Sequence, residues 1–384
     1  MKLGLIDFLD KRFEVRRVTR EFIDHQVPDH VNLLYCFGGI TFLCFLIQVV
    51  TGVLLAFNYQ PTMDGAYSSI LHIMDDVPFG VLIRSIHAWT ANIMIIMVIL
   101  HMMRVFFHGA YRPPRELNWL TGVILFFVTI TFGFSGYLLP MNQLSYWATK
   151  VGTEIAGAIP IVGPGVQAFL LGGDKIGDPT LTRFYAMHIV ILPVVASALL
   201  AGHFFMVRKQ GIDEPLYWKR EFDMSLNDDR EKDNHIEGTH RMEALSPRGQ
   251  AQEPRRDEHE GGVPFFPDHF VKEAAVMALV LGLLIFLATM MPAPMGAPAD
   301  AMKTPPGIRP EWYFLAVYQI LKYVPKSVGI FLTFLIFPPV LLFFPLFYNK
   351  ITAWRYGRLA LHTIVALGVF FAVFLSMLAY LGFE

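Results

Sequence analysis

Seven apolar stretches, each near 20 residues or longer, govern what this chain can fold into: roughly 31–57, 79–107, 117–139, 182–207, 274–291, 328–347 and 359–381. A bilayer core is crossed by a helix of about 20 apolar residues. In lipid the backbone amides have no water to bond, so the bonds must close within the segment. The expected fold class is therefore all-α, a polytopic membrane protein. Of the 384 residues, 54% are hydrophobic and 16% charged, and the net charge of −1 offers nucleic acid no basic surface. Pro338, Pro339 and Pro345 predict a kink or break in the sixth stretch.

Two of the stretches carry paired histidines. His87 and His101 are fourteen residues apart in the second, and His188 and His203 are fifteen apart in the fourth. On a helix that separation is about four turns, or about 21–23 Å. Each pair thus faces nearly one way, with one member near each side of the bilayer. Two such helices face to face offer His87 with His188 and His101 with His203. A pair of imidazoles on opposite sides of a porphyrin makes a six-coordinate haem site suited to electron transfer. Four unrelated polar residues lining a pore are the plainer alternative. Gly38 and Gly52, and again Gly122 and Gly136, repeat the fourteen-residue interval in the first and third stretches. A flat macrocycle between helices needs backbone bare of side chains, which glycine supplies.

Lys and Arg concentrate before the first stretch, around Arg104, Arg112 and Arg115, after Arg208, and around Lys350, Arg355 and Arg358. Segment 59–78, on the other side, has neither. The positive-inside rule then puts the N-terminus on the negative (n) side, in the cytoplasm, and the C-terminus on the positive (p) side. By the same rule His87 and His188 lie near the p side, His101 and His203 near the n side. Four parts are expected: 1–30 as an amphipathic n-side surface segment with one helix over Met1–Arg20, 31–210 as a four-helix dihaem bundle, 211–268 as a polar n-side linker, and 269–384 as a three-helix half. The charged opening has no long apolar core and predicts no cleavable leader. Segment 142–181 is apolar enough to lie on the membrane as short helices. In the linker His235, His240 and His259 are expected to be solvated rather than to bind metal.

Two further spots carry chemistry. Pro310-Glu311-Trp312-Tyr313 sets an acid among aromatics at a membrane face. Partial burial raises a carboxyl pKa toward the range useful for passing protons, unless backbone amides bind it first. Cys36 and Cys44 are the two cysteines, about 12 Å apart along a helix and so too distant for a disulfide. No Cys-x-x-Cys-His occurs, which excludes ordinary c-type haem attachment.

Taken together, His87-x13-His101, His188-x14-His203, Gly136-Tyr137-x-Leu139-Pro140, Leu181-Thr182-Arg183-Phe184-Tyr185 and Pro310-Glu311-Trp312-Tyr313-Phe314 closely resemble cytochrome b of the cytochrome bc complexes. The fourteen residues between His188 and His203, and the four-plus-three helices, are similar to the b6f type: cytochrome b6 joined to its subunit IV in one chain. The resemblance covers nearly the whole sequence. It implies a subunit of a proton-translocating quinol–cytochrome c (or equivalent acceptor) reductase. Quinol is oxidised near the p side, with one electron passing to a Rieske iron–sulfur protein and the other through two b haems to a quinone on the n side. It implies Glu311 as the group handling a quinol proton beside Tyr313, and Arg84 and Arg104 near haem propionates. Cys36 matches a cysteine holding an extra haem by one thioether, with Arg208 beside that haem and Glu21 near the n-side quinone. Partners implied are the Rieske protein, a c-type cytochrome or equivalent acceptor, lipid and a second copy, in a bacterial cytoplasmic membrane.

The pattern is not matched throughout. The family's Leu-Pro-Trp-Asp-Gln stands here as Leu139-Pro140-Met141-Asn142-Gln143, losing an aromatic and an acid, and Ala88 stands where an arginine follows the histidine. A dihaem quinone-reactive anchor of a dehydrogenase or hydrogenase is the competing function. It needs four or five helices and leaves the last three stretches and Glu311 without a role.

Overall fold

The computed structural model describes residues 4–23, 26–28, 30–212, 262–354 and 356–382. Among the described residues seven helices are long and apolar enough to cross a membrane: Leu33–Ala56, Gly80–His108, Glu116–Leu138, Asp178–Gln210, Phe265–Met290, Ser327–Tyr348 and Gly357–Leu381. Each expected stretch is met by one helix. The fourth starts four residues early because Pro179 sits in its first turn, where no N–H is needed. There Gly177 N–H donates to the Thr180 hydroxyl at 3.1 Å.

Among the described residues a π-helical turn opens the fifth span, at Phe265–His269, and two further spans contain one ahead of prolines. In the fourth it covers Met187–Ile191, and in the sixth Phe331–Ile336. Each of these two lies just before prolines, at Pro193 and at Pro338-Pro339. A proline has no N–H for the carbonyl four residues back, and a wider turn re-pairs the freed carbonyls. The sixth helix is therefore continuous, and the break expected there is absorbed as a π turn. Pro345 stays inside the helical segment Phe337–Thr352. In the fourth span the π turn takes up the one residue by which the His188–His203 interval exceeds His87–His101.

The amphipathic opening is two helices, not one. Leu5–Phe13 and Val15–Ile23 are separated by Glu14, whose φ of 49° is left-handed. Glu14 N–H closes the first helix on Asp10 O at 2.9 Å. Arg16 reaches back to Asp7 at 2.6 Å and Arg17 to Glu14 at 2.7 Å. These pairs are exposed, so they fix the bend without adding much stability. Gln26–Pro28 pairs antiparallel with Gly262–Pro264, a short exception to the helical pattern.

The described residues of 1–36, 104–110 and 211–279 form one compact unit, and those of 37–103, 111–210 and 280–384 another. Within the second unit, indole N–H groups tie later segments to earlier helices. Trp89 donates to Met291 O at 2.8 Å, Trp119 to Leu341 O at 2.8 Å, and Trp312 to Asn92 Oδ1 at 2.7 Å. Tyr111 is fully buried among the rings of Trp119, Phe344 and Tyr348, with centroids 5.1–5.4 Å away. Segment 142–181 forms two short helices, Gln143–Gly157 and Gly163–Leu171, as expected. A core of Tyr59, Ile70, Ile73, Met141, Leu181 and Met295 packs beside them. Positions 213–261, with His235, His240 and His259, lie outside the described residues.

Candidate redox site

His87 and His101 lie on the Gly80–His108 helix, and His188 and His203 on the Asp178–Gln210 helix. The rings of His87 and His188 face each other with centroids 6.4 Å apart and planes at 70°. Two imidazoles each bound to one metal through a nitrogen about 2 Å away have centroids about 6 Å apart. The pair therefore fits a shared axial position. Among the described residues no group of three or more His, Cys, Asp or Glu is arranged to hold a metal ion. A haem needs only the two axial nitrogens.

Each of the four spaced glycines meets one histidine. A Cβ on Gly136 would lie 2.7 Å from His188 Cε1, on Gly38 3.1 Å from His101 Cε1, on Gly52 3.3 Å from His87 Cε1, and on Gly122 3.5 Å from His203 Cε1. At these four positions the missing side chain makes room for an imidazole ring. The clearances rank the substitutions. Gly136→Ala is expected to displace His188 and lose haem from that pair, whereas Gly122→Ala, at an ordinary contact distance, keeps it. The amplitude of the reduced b-type absorption band in the purified protein checks the difference.

Three histidines also touch a hydroxyl through Nδ1: His87 on Thr51 Oγ1 at 2.8 Å, His188 on Ser135 Oγ at 3.0 Å, and His203 on Thr121 Oγ1 at 3.1 Å. The histidine periodicity does not reveal these partners. The available signal is that each hydroxyl residue immediately precedes one of the glycines.

The cationic candidates are placed less uniformly. Arg84 donates to the carbonyls of Ala293 and Pro294, the latter at 2.9 Å, and so binds the segment after the fifth span. Arg104 lies over the Tyr35 ring, its guanidinium carbon 3.4 Å from the centroid. Arg208 is exposed in the last turn of its helix. Glu21 falls in the Val15–Ile23 helix, and its side chain is outside the described residues. Cys36 is buried at the start of the helix that carries Gly38, and Cys44 is buried further along the same helix.

Glu311 precedes a single helical turn, Trp312–Phe314, and does not cap it. Its side chain is partly buried, and burial pushes the carboxyl above its usual range. Tyr313 is raised as well, first by burial and then by Glu311 and Tyr137 beside it. Its hydroxyl rests against Gly133, where a Cβ would come within 2.8 Å. A partly buried carboxyl thus lies beside the phenols of Tyr313 and Tyr137.

Residues 22–211 match the family described as cytochrome b/b6/petB, and residues 298–384 that described as cytochrome b(C-terminal)/b6/petD. The chain belongs to the cytochrome b/b6 family. Cytochrome b6 of Stigeoclonium helveticum is 48% identical over 210 residues, which is 55% of this chain and 98% of the relative. Cytochrome b6 of Prochlorococcus marinus (strain MIT 9215) is 47% identical over 213 residues, 56% and 98% of the two chains. A solved chain titled hyperthermophilic respiratory Complex III superposes with a TM-score of 0.73 at 28% identity, covering 98% of this chain and 96% of that one. The family fits a fused cytochrome b6 and subunit IV, a multi-pass, haem-binding membrane protein of electron transport.

Within the cytochrome b/b6 frame, the two unusual residues at 141 and 142 acquire a physical account. Met141 is buried with a φ of 46°, and its carbonyl accepts from Ala299 N–H at 3.2 Å. Asn142 Oδ1 accepts from the Ser145 N–H at 2.9 Å, while its amide nitrogen donates to Met295 O at 2.5 Å. An aspartate makes the first bond but has no proton for the second. The substitution that removes an acid from this cytochrome b therefore adds a donor that clasps segment 295–299.

Proposed function

We propose that this chain is the cytochrome b subunit of a bc-type quinol:acceptor oxidoreductase in a bacterial cytoplasmic membrane, with its N-terminus in the cytoplasm. The observation that carries the proposal is the facing of His87 and His188 at 6.4 Å, with a bare glycine behind each ring. His87 and His188 hold one b haem near the p side, and His101 and His203 hold a second near the n side. When bound, these haems supply the one-electron carriers that take one of the quinol's two electrons across the membrane to a quinone. Glu311 accepts a quinol proton on the p side, in a pocket whose partial burial keeps the carboxyl ready to bind one. Tyr313 borders the same pocket and orients the substrate's hydroxyl.

Cys36 attaches a third haem by a thioether, as its match to cytochrome b6 implies, and Arg208 and Glu21 serve the quinone on the n side. Arg84 and Arg104 supply positive charge for haem propionates. The organisation into 1–30, 31–210, 211–268 and 269–384 assigns the haems to the second part and Glu311 to the fourth. A Rieske iron–sulfur protein takes the other electron and passes it to a c-type cytochrome or equivalent, and the complex works as a dimer. A dihaem anchor gives no purpose to the Trp89, Trp119 and Trp312 bonds that fasten the later segments onto the second and third spans.

The test uses the purified complex poised with excess quinol. If quinol oxidation divides its electrons, adding an oxidant of the Rieske branch drives further reduction of a b haem. Oxidation of the b haem by the same addition contradicts the proposal.

A further inference from the structure

We propose that Thr51, Ser135 and Thr121 are positioning residues that fix the ring protons of His87, His188 and His203 and lower the midpoint potentials of the haems they hold. This rests on the assignment of those histidines as axial ligands.

A hydroxyl has one proton and can give it to one partner. Thr51 donates to Ile47 O at 2.7 Å, Thr121 to Asn118 O at 2.9 Å, and Ser135 to Phe132 O at 3.2 Å. Each hydroxyl thus has a carbonyl of its own helix to donate to, and the Phe132 and Asn118 carbonyls also accept from the His188 and His203 rings. With that donation made, the oxygen that faces each imidazole offers its lone pairs, and Nδ1 carries the ring proton. A neutral imidazole with Nδ1 protonated presents a bare Nε2, the nitrogen free to bind a metal. The hydroxyls favour that tautomer before any metal arrives, joined at His188 and His203 by the Phe132 and Asn118 carbonyls.

Sequence and geometry coincide in one device. Thr51-Gly52, Thr121-Gly122 and Ser135-Gly136 are three hydroxyl–glycine dipeptides. In each, the glycine lets the ring's Cε1 approach and the preceding hydroxyl holds the same ring's Nδ1. Adjacent residues on a helix point about 100° apart, so one dipeptide reaches two edges of a single imidazole. Gly38, which meets His101, follows Phe37 and has no such hydroxyl before it.

An acceptor on Nδ1–H makes the opposite nitrogen a stronger donor to its metal. Stronger donation favours the oxidised iron and lowers the potential, by the hydrogen-bond lever available to haem proteins. The His87–His188 pair carries two of these bonds, on Thr51 and Ser135. Losing them raises that haem's potential, and Thr121 acts on the other haem.

The experiment is redox potentiometry of the purified complex, following the two b haems by their absorption bands, in Thr51→Val, Ser135→Ala, their double variant and Thr121→Val. Thr51→Ser and Thr121→Ser retain the hydroxyl. The expected result is an upward shift of one haem in Thr51→Val and Ser135→Ala, a larger shift in the double variant, a shift of the other haem in Thr121→Val, and wild-type potentials in the serine variants. Haem loss in Thr51→Val with retention in Thr51→Ser supports the same conclusion. Unshifted potentials in the hydroxyl-free variants overturn it, as does equal haem loss in Thr51→Val and Thr51→Ser. Haem content of His87→Leu and His188→Leu separates the two levels. If these lose haem while the hydroxyl variants keep their potentials, the ligand assignment stands and only this inference fails.

Discussion

Replacing His188 with leucine removes one b-type haem from the purified complex, leaves the other, and takes quinol oxidation to background. Leucine has no nitrogen to offer the iron. The helix itself tolerates the change, because an apolar side chain suits a membrane span. His188 sits in the π turn ahead of Pro193, with its ring against Gly136 and facing His87. His87 alone would hold that haem through one nitrogen instead of two, too weakly to keep it through purification. His203 lies about 22 Å along the same helix, at about 1.5 Å per residue, so the other pair keeps its haem. The reduced b-band amplitude is therefore expected to fall by about half rather than to vanish. Full retention of both haems contradicts the ligand assignment.

Glu311→Gln is expected to slow quinol oxidation by about 10²-fold, the lower end of what a positioned general base contributes. The glutamine keeps the shape and loses the acceptor for the quinol proton. The pH dependence carries the sign. Burial holds the Glu311 carboxyl above its usual range, so it remains protonated to higher pH than an exposed glutamate. A base works only when ionised. The rate of the unaltered protein therefore rises with pH through this raised pKa and then levels, and Glu311→Gln removes that rising limb. Steady-state quinol oxidation against pH, measured for both proteins, checks it. The same rising limb in the variant assigns the proton to another group.

The membrane spans are legible in sequence because lipid permits one local answer: an apolar run with no water for its amides must bond to itself as a helix. All seven follow. The histidine pairs are legible for the same reason, since helical rise converts an interval of fourteen or fifteen residues into depth. The fourteen-residue glycine interval points to the right positions, but not to the imidazole rings that meet them. The bare backbone lies against the imidazole rings of His87, His101, His188 and His203. Helix periodicity gives the face of a residue, not which atoms of a partner helix arrive there. For that reason Thr51, Thr121 and Ser135 escape a reading by residue type: a hydroxyl in a helix ordinarily bonds back to its own turn, and these do so as well. The π turns at Met187–Ile191 and Phe331–Ile336 need the proline's missing donor weighed against lipid, where a freed carbonyl must be re-paired rather than solvated. Glu14 interrupts the amphipathic opening because the apolar pattern runs on through it while the backbone does not. At Asn142 the lost acid is visible from sequence, and the gained bond to Met295 is not, because its acceptor lies 153 residues away.

The most direct measurement is the haem content of the purified chain, quantified before and after extraction with acidified acetone, which removes haem held only through iron. Two extractable haems per chain are expected, one for each histidine pair, together with a haem that stays on the unaltered chain and disappears in Cys36→Ala. One extractable haem, or none, contradicts the assignment of His87 with His188 and His101 with His203 as two axial pairs.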